Sequence, residues 1–379
     1  MTEHPPPRWA VVGNPENRRV ALFTRAVLGA GLPAPRVVPW TSVLREGGAA
    51  FAPDELVRLD SPGENTEVDR ALRGLEDATR VEGGARWYAR FTATVRSLTG
   101  GTRLDDADEL AVLFDKRHCH RALDTAGVPV PRSPTSGDAT PVRGWEDVRA
   151  LMDTHGMPRA FVKLAHGSSA SGVVAVETAG RGRVRAVTSV ETSEDGRLYN
   201  SLRVRRLTSE RETAAVVDAL APDGLHVERW WPKASLAGRA ADLRVVVVAG
   251  RATHAVVRTS RSPMTNLHLG GQRGDLSAVV EAAGPRWAEA LDVCERAAAC
   301  FPGTLCVGVD LLPAVGWRRF AVAEVNAFGD LLPGLTGLPG GGAEGLDTYA
   351  AQVAAALPYV RRRRTPQHHH PRNHHRAPA

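Results

Sequence analysis

Asp310, Glu324 and Asn326 are the residues whose types and spacing point most directly to chemistry. Val309-Asp310-Leu311-Leu312 reads as one β-strand and Ala321-Val322-Ala323-Glu324-Val325-Asn326 as the next. Residues two apart on a strand share a face, so Glu324 and Asn326 project the same way. A hairpin turning near Gly316 would bring Asp310 beside Glu324. Two carboxylates and an amide oxygen on one surface make an oxygen-only site. Mg2+ favours such a site, with phosphates and water completing its octahedron. Acids among apolar strand residues are costly unless a cation or hydrogen bonds compensate them. The competing reading is a pair of strand-end acids satisfied by arginines.

Four further groups of residues could cooperate with this one. Lys163-Leu164-Ala165-His166-Gly167-Ser168-Ser169-Ala170-Ser171-Gly172-Val173 is a strand that delivers a lysine into a Gly-Ser loop. The amides, hydroxyls and lysine of such a loop can fold over phosphates. It is not a Walker loop, because no Gly-Lys-Ser/Thr opens a helix, and it also reads as a plain hairpin turn. Asp242-Leu243-Arg244 and Arg258 lie on two strands turned at Gly250, and Asn266-Leu267-His268-Leu269-Gly270-Gly271 follows. Arg244 and Arg258 could clamp phosphate or carboxylate oxygens bidentately, or simply form salt bridges. Lys116 sits on a helix in Phe114-Asp115-Lys116, where a lone lysine is ordinarily solvated. Glu228-Arg229-Trp230-Trp231 reads as a link between lobes whose backbone could hold an adenine, or as aromatic core.

These residues need a scaffold, and the apolar periodicity outlines one. Trp9-Ala10-Val11-Val12-Gly13, a helix over Arg18–Ala30 and a strand at Arg36–Trp40 give a βαβ rhythm for an α/β lobe. Gly13-Asn14-Pro15-Glu16 is no dinucleotide fingerprint, and Pro15 removes an amide that a phosphate cradle would use. A single helix is predicted over Asp108–Ala126, ended by Gly127 and the extended Val128-Pro129-Val130-Pro131. Hairpins are predicted at Phe161–Glu177, Arg183–Leu207, Leu243–Arg258 and Cys306–Val325. Helices fit Glu210–Ala219, Pro285–Cys300 and Asp347–Leu357.

In this order the motifs resemble the ATP-grasp superfamily of ligases, most closely its RimK-like glutamate ligases. The resemblance covers roughly residues 110 to 335. It rests on Asp242-Leu243-Arg244, Asn266-Leu267-His268-Leu269-Gly270-Gly271, Val307-Gly308-Val309-Asp310 and Glu324-Val325-Asn326. It implies an α/β (α+β) fold in which two lobes clasp ATP. A pre-ATP-grasp domain would fill 1–107, a central lobe with the lid loop and an extra hairpin 108–227, and a C-terminal lobe with the metal site 228–360. A disordered Arg/His-rich tail would occupy 361–379.

By the same resemblance, ATP and two Mg2+ ions, or Mn2+, are the cofactors. Lys116 and Lys163 would contact phosphates, with Ser168, Ser169 and Gly172 in the lid. Glu228 and Trp230 would present backbone to adenine, and Asp242 would hold the ribose. Asp310, Glu324 and Asn326 would bind metal, and Arg244, Arg258 and Asn266 would face the γ-phosphate and the reacting carboxylate. The activity implied is carboxylate–amine ligation through an acyl-phosphate, on a small molecule, a peptide or a protein, in an enzyme whose relatives often form homodimers. An ATP-grasp kinase and a non-catalytic ATP-binding partner are the alternatives. Two departures weaken any transfer of glutamate specificity. Ala327-Phe328-Gly329-Asp330 replaces the family's Pro-Gly turn, and Gly182–Leu207 is longer than usual.

Charge excludes other classes. The net charge of +6 comes from the six arginines after residue 360, which leave 42 basic and 42 acidic residues before them. No basic stripe for nucleic acid is demanded. The His368-His369-His370 and His374-His375 of the tail have no core to shape a metal site. Cys119, Cys294, Cys300 and Cys306 form no C-x-x-C pair and read as reduced thiols. With no apparent signal pattern or membrane-length apolar run, the cytoplasm is the expected compartment and no membrane partner is expected.

Overall fold

A computed structural model describes residues 7–77, 79–137, 139–167, 171–179, 183–328 and 334–364. Its strands fall into three sheets. The first is parallel: β1 (Arg8–Gly13), β2 (Arg36–Pro39), β3 (Ala49–Leu59) and β4 (Leu98–Arg103), in the order β2-β1-β3-β4. Trp9 to Val12 are all buried, as a strand covered on both faces must be.

The second sheet is antiparallel: β5 (Arg159–Leu164), β6 (Val173–Ala179), β7 (Arg183–Thr192), β8 (Leu198–Leu207) and β9 (Leu225–Arg229), in the order β8-β7-β6-β5-β9. One face of β5 carries Ala160, Val162 and Leu164, which pack with Val148, Met152 and Val217 from the helices behind. The alternate residues Phe161 and Lys163 face a cleft. The extra hairpin β7–β8 is present, and it docks on the first lobe. Val81 N donates to Leu198 O (2.9 Å), Leu198 N to Glu82 Oε1 (3.0 Å) and Tyr199 Oη to Asp77 Oδ2 (3.1 Å).

The third sheet, also antiparallel, holds β10 (Ser235–Leu236), β11 (Arg239–Val248), β12 (Arg251–Ser260), β13 (Gln272–Gly274), β14 (Cys306–Pro313) and β15 (Phe320–Asn326). Its order is β13-β12-β11-β14-β15, with β10 on β11. Leu243, Val245, Val309, Leu311 and Val325 form its apolar face, in one core with Val12, Leu59 and Phe91 of the first lobe. Fully burying each such side chain is worth about 1.5–3 kcal/mol. The first and third sheets thus share a base, while the second has a core of its own.

Two expectations need correction. The helix predicted over Asp108–Ala126 is two helices, Ala107–Leu113 and Lys116–Thr125. Asp115 breaks the run because its carboxylate accepts from Arg117 N (2.9 Å) and caps the second helix. The last helix does not end at Leu357 but runs Thr348–Arg364 through Pro358. Residues 361–364 are therefore helical, and Arg363 Nη1 donates to Gly303 O (3.3 Å). Residues 365–379 lie outside the described residues. The four cysteines are free, and Cys119, Cys294 and Cys306 are buried. No helix among the described residues is long and apolar enough to cross a membrane.

Candidate active site

Register brings the candidate residues together. Arg258 pairs with Asp242 across β12–β11, Arg244 with Asp310 across β11–β14, and Asp310 with Glu324 across β14–β15. Gly308 stands opposite Asn326. Alternation then places Asp242, Arg244, Arg258, Asp310, Glu324 and Asn326 on one face of four adjacent strands. A bulge beside Asp310 adds Ala323 to β15 and preserves the pairing of Glu324 with Asp310 on the open side of the hairpin.

The charges on this face alternate. Arg258 Nε donates to Asp242 Oδ1 (2.7 Å), and its Nη2 lies 3.1 Å from Asp310 Oδ1. Arg244 approaches Asp310 with Nε at 2.5 Å and Nη2 at 3.2 Å. Burial alone would push the Asp310 carboxyl up, but the guanidinium groups of Arg244 and Arg258 hold it down at about 2. Lys233 reaches Asp242 Oδ2 (3.5 Å) and Thr265 Oγ1 (2.9 Å), and Thr265 Oγ1 also donates to Asp242 Oδ2. Burial lowers the Lys233 ammonium pKa against the pull of Asp242.

Two cavities meet at this face. The first, with about 820 Å³ of open space, lies between the second and third sheets. Lys116, Lys163, Lys233 and Arg258 line it beside Phe161, Val173, Met264 and Leu312. The second, about 1020 Å³, opens toward the first lobe, with Arg73, Arg80, Trp87, Tyr88, Phe114 and Phe328 in its wall. Lys116, Gly167, Ser171 and Glu324 line both. Asp310 faces the first only, and Asn326 the second only. Lys116 Nζ bridges Glu324 Oε1 (2.7 Å) and Gly167 O (2.6 Å). Its helix is tied to the end of β5 by Lys116 N donating to Ala165 O (2.9 Å).

Several residues do not stand as the sequence suggested. Trp230 lies off both cavities, packed on Phe161 with its N–H donated to Arg159 O (3.1 Å). Glu228 sits in the β5–β9 ladder opposite Phe161. The amides of Val227 and Arg229 turn the other way, to Thr135 Oγ1 and Arg132 O. Alternation therefore points the Glu228 and Trp230 amides at β5, not at an adenine. The Glu228 side chain lines the first cavity instead, and the neighbouring Trp231 replaces Trp230 in its wall.

Asp242 has both carboxylate oxygens engaged and anchors Arg258 and Lys233, so it does not stand free for a ribose. Arg244 lines neither cavity. It lies across Gly308 behind Asp310, where a Cβ on Gly308 would come within 3.0 Å of Arg244 Cδ. Gly172 lines neither cavity either. At φ +64° it turns the chain into β6 against Leu164, and Ser171 faces the clefts instead. Ser168 and Ser169 lie outside the described residues. Lys163, Arg258, Asn266, Asp310 and Glu324 line the first cavity together. Lys233, Thr265, Trp231 and Gly308 were missed. A lone lysine after an aromatic pair and a small residue before Asn266 carry no local signal.

The donor set fits nucleotide and Mg2+. Among the described residues no three His, Cys, Asp or Glu side chains form a metal cluster. Asp310, Glu324 and the Asn326 amide, whose Nδ2 donates to Gly308 O (3.3 Å), bring a partial oxygen set to the floor. Here, however, Asp310 is satisfied by Arg244 and Arg258, as the competing reading had it, and Glu324 Oε1 by Lys116. A bound Mg2+ would have to displace some of these contacts. Mg2+ typically takes one or two carboxylates and completes its shell with phosphates and water. The buried indole Nε1 of Trp231, on the cavity wall, has no hydrogen-bond partner among the described residues.

Two β-lobes that close on a cation-lined cleft, with paired carboxylates at its floor, define the ATP-grasp fold. No family model and no curated protein matches the sequence. Among solved structures, D-cycloserine synthetase DcsG is similar with TM-score 0.51 and 15% identity, over 92% of this chain and 99% of that one. The ATP-grasp ligase PsnB, seen with a minimal precursor, Mg and ADP, is similar with TM-score 0.50 and 17% identity, over 93% and 98%. The ATP-grasp fold implied by the sequence motifs is the fold of this chain.

Proposed function

We propose that the protein is a cytoplasmic, ATP- and Mg2+-dependent carboxylate–amine ligase that works through an acyl-phosphate. The observation that carries this reading is the shared floor. Lys116 and Glu324 belong at once to a cation-rich cleft suited to a triphosphate and to a second cavity suited to an acceptor. In the proposed reaction a carboxylate oxygen attacks the γ-phosphorus, the bond to the β-bridging oxygen breaks and ADP leaves. The amine lone pair then attacks the acyl carbon, phosphate departs, and the nitrogen gives up a proton. One proximal pair of sites is enough for both steps, and no protein nucleophile is required.

The chain's own residues orient and neutralise. Lys163, Lys233 and Arg258 line the cleft and would face the phosphates, and Arg244 and Asp242 hold Asp310 and Arg258 in place. Asp310, Glu324 and Asn326 would hold Mg2+, which when bound neutralises phosphate charge during transfer. The aromatic wall and the Arg73 and Arg80 guanidinium groups of the second cavity suit a carboxylate carried by an amino acid, a peptide or a protein. PsnB, seen with a minimal precursor, makes peptides the first substrates to try. A homodimer remains part of the proposal for its assembly.

The test is ADP release across pools of amino acids and peptides, with wild type and Glu324→Ala side by side. Release by wild type with at least one carboxylate–amine pair, and none by the variant, is the expected result. Equal release by both would overturn the site assignment, and a stable phosphorylated product would favour a kinase. Gly308→Val should lower ADP release by about tenfold or more without unfolding the protein. A Cβ at Gly308 would stand 3.0 Å from Arg244 Cδ, so the bulkier valine should push Arg244 off Asp310, and a misplacement of about 1 Å is enough for such a loss. An unchanged rate would show that Arg244 has no positioning role.

A further inference from the structure

Behind the first cavity lies a buried polar chain that the proposed reaction uses only at its lysine end. Lys163 Nζ lies 2.5 Å from Glu228 Oε1. The other oxygen, Oε2, lies 3.3 Å from His226 Nε2. His226 Nδ1 lies 3.3 Å from Thr135 Oγ1, which in turn accepts from Val227 N (2.7 Å). Thr135, His226 and Glu228 are each at most 3% exposed. A buried histidine is ordinarily a satisfied core residue, and that reading would require only that its two nitrogens find partners. Here the partners lead to one place, the lysine in the wall of the nucleotide cleft.

We infer that His226, braced by Thr135, is a positioning residue that holds Glu228 and through it sets where Lys163 stands in the cleft. The inference rests on the proposed nucleotide site. Burial holds the His226 pKa below its ordinary value, against the pull of Glu228, so the ring is neutral near pH 7. A neutral ring facing a carboxylate carries its proton on Nε2, which leaves Nδ1 as an acceptor 3.3 Å from the Thr135 hydroxyl, whose single proton it shares with Val227 O, also at 3.3 Å. The charged or titratable groups around the ring are Glu228, Lys163 and His120. His120 packs 5.5 Å from His226 and is itself fixed by Pro131 O (2.7 Å) and Ser136 Oγ (2.9 Å). His120 belongs to the helix that begins with Lys116. The two histidine rings, tilted 52° to one another, therefore bring together the mounts of two of the cleft lysines, Lys116 and Lys163. Without the His226 hydrogen bond, Glu228 is free to turn about Lys163 and draw it out of the cleft wall.

The experiment is calorimetric titration of the full chain with the Mg2+ complex of a non-hydrolysable ATP analogue, with melting curves run in parallel. His226→Leu should weaken binding about tenfold or more, whereas His226→Gln, which keeps a donor near the Nε2 position, should stay within about threefold. Glu228→Gln and His226→Leu combined should lose less than the sum of the two, because they break one chain. Should His226→Leu fail to fold, Thr135→Val against Thr135→Ser carries the same contrast, with weaker binding expected for valine only. Equal binding by wild type and the folded leucine or valine variant would overturn the inference. Failure of the wild type to bind the analogue would overturn the nucleotide site itself.

Discussion

Glu324→Gln should leave the fold intact and lower ADP release at least about a hundredfold, the loss seen when one preorganised charge-stabilising group is removed from an active site. Glu324 is the only acid on the floor common to both cavities among their described lining residues. Glutamine keeps its shape and an oxygen that can accept from Lys116 Nζ, so packing changes little. The negative charge is lost. A magnesium ion at this position would then face one carboxylate, Asp310, instead of two. Melting curves of the variant should overlay those of wild type, while ADP release collapses at saturating ATP and recovers only in part at high Mg2+. A variant that loses melting temperature and rate in proportion would instead make Glu324 a structural acid.

Asp310→Asn should be costly in a different way. Asp310 stands between two guanidinium groups, Nε of Arg244 at 2.5 Å and Nη2 of Arg258 at 3.1 Å, and its side chain is 12% exposed. Asparagine can accept one of these hydrogen bonds but leaves the buried Arg244 without a carboxylate partner, while Arg258 keeps Asp242. Breaking a buried pair in this manner costs about 3–5 kcal/mol. The expected result is a lower apparent midpoint in denaturant together with loss of ADP release. The dependence on pH follows from linkage. The Asp310 carboxyl is depressed in the folded chain, to about 2 from 3.8. Its contribution is therefore complete above the unfolded value and is lost as pH falls through about 2. Wild type and variant should differ by a constant amount from pH 5 to 8 and converge only below about pH 4. A difference that shrinks near neutrality would assign the stabilisation to another group.

The part of the site that lies within one hairpin was legible in the sequence. Period-two alternation placed Glu324 and Asn326 on one side, and the short turn near Gly316 brought Asp310 across to them. Arg258 beside Asp242 was not legible, because a bulge between Val246 and Val247 shifts the β11–β12 register by one residue. What else was not legible depends on pairing between distant segments. Trp230 and Trp231 differ by one residue, and only the ladder of β9 on β5 decides which faces the cleft, because a one-residue step reverses the side chain. Arg244 reads as a catalytic clamp until β14 is seen beside it, more than sixty positions later in the chain, with Gly308 leaving room for its side chain. Lys233 has no periodic neighbours to mark it. The break at Asp115 was visible in principle, since an aspartate before a helix is a common cap, but the apolar spacing ran through it. The resemblance to ATP-grasp ligases supplied the lobe order that composition alone could not.

Hydroxylamine trapping tests the central claim most directly. Wild-type protein, Mg-ATP, the carboxylate that supports ADP release and hydroxylamine in place of the amine should yield the acyl hydroxamate, one for each ADP formed. ADP released with no hydroxamate, from a carboxylate that the protein demonstrably uses, would mean that no activated acyl group arises where the two cavities meet.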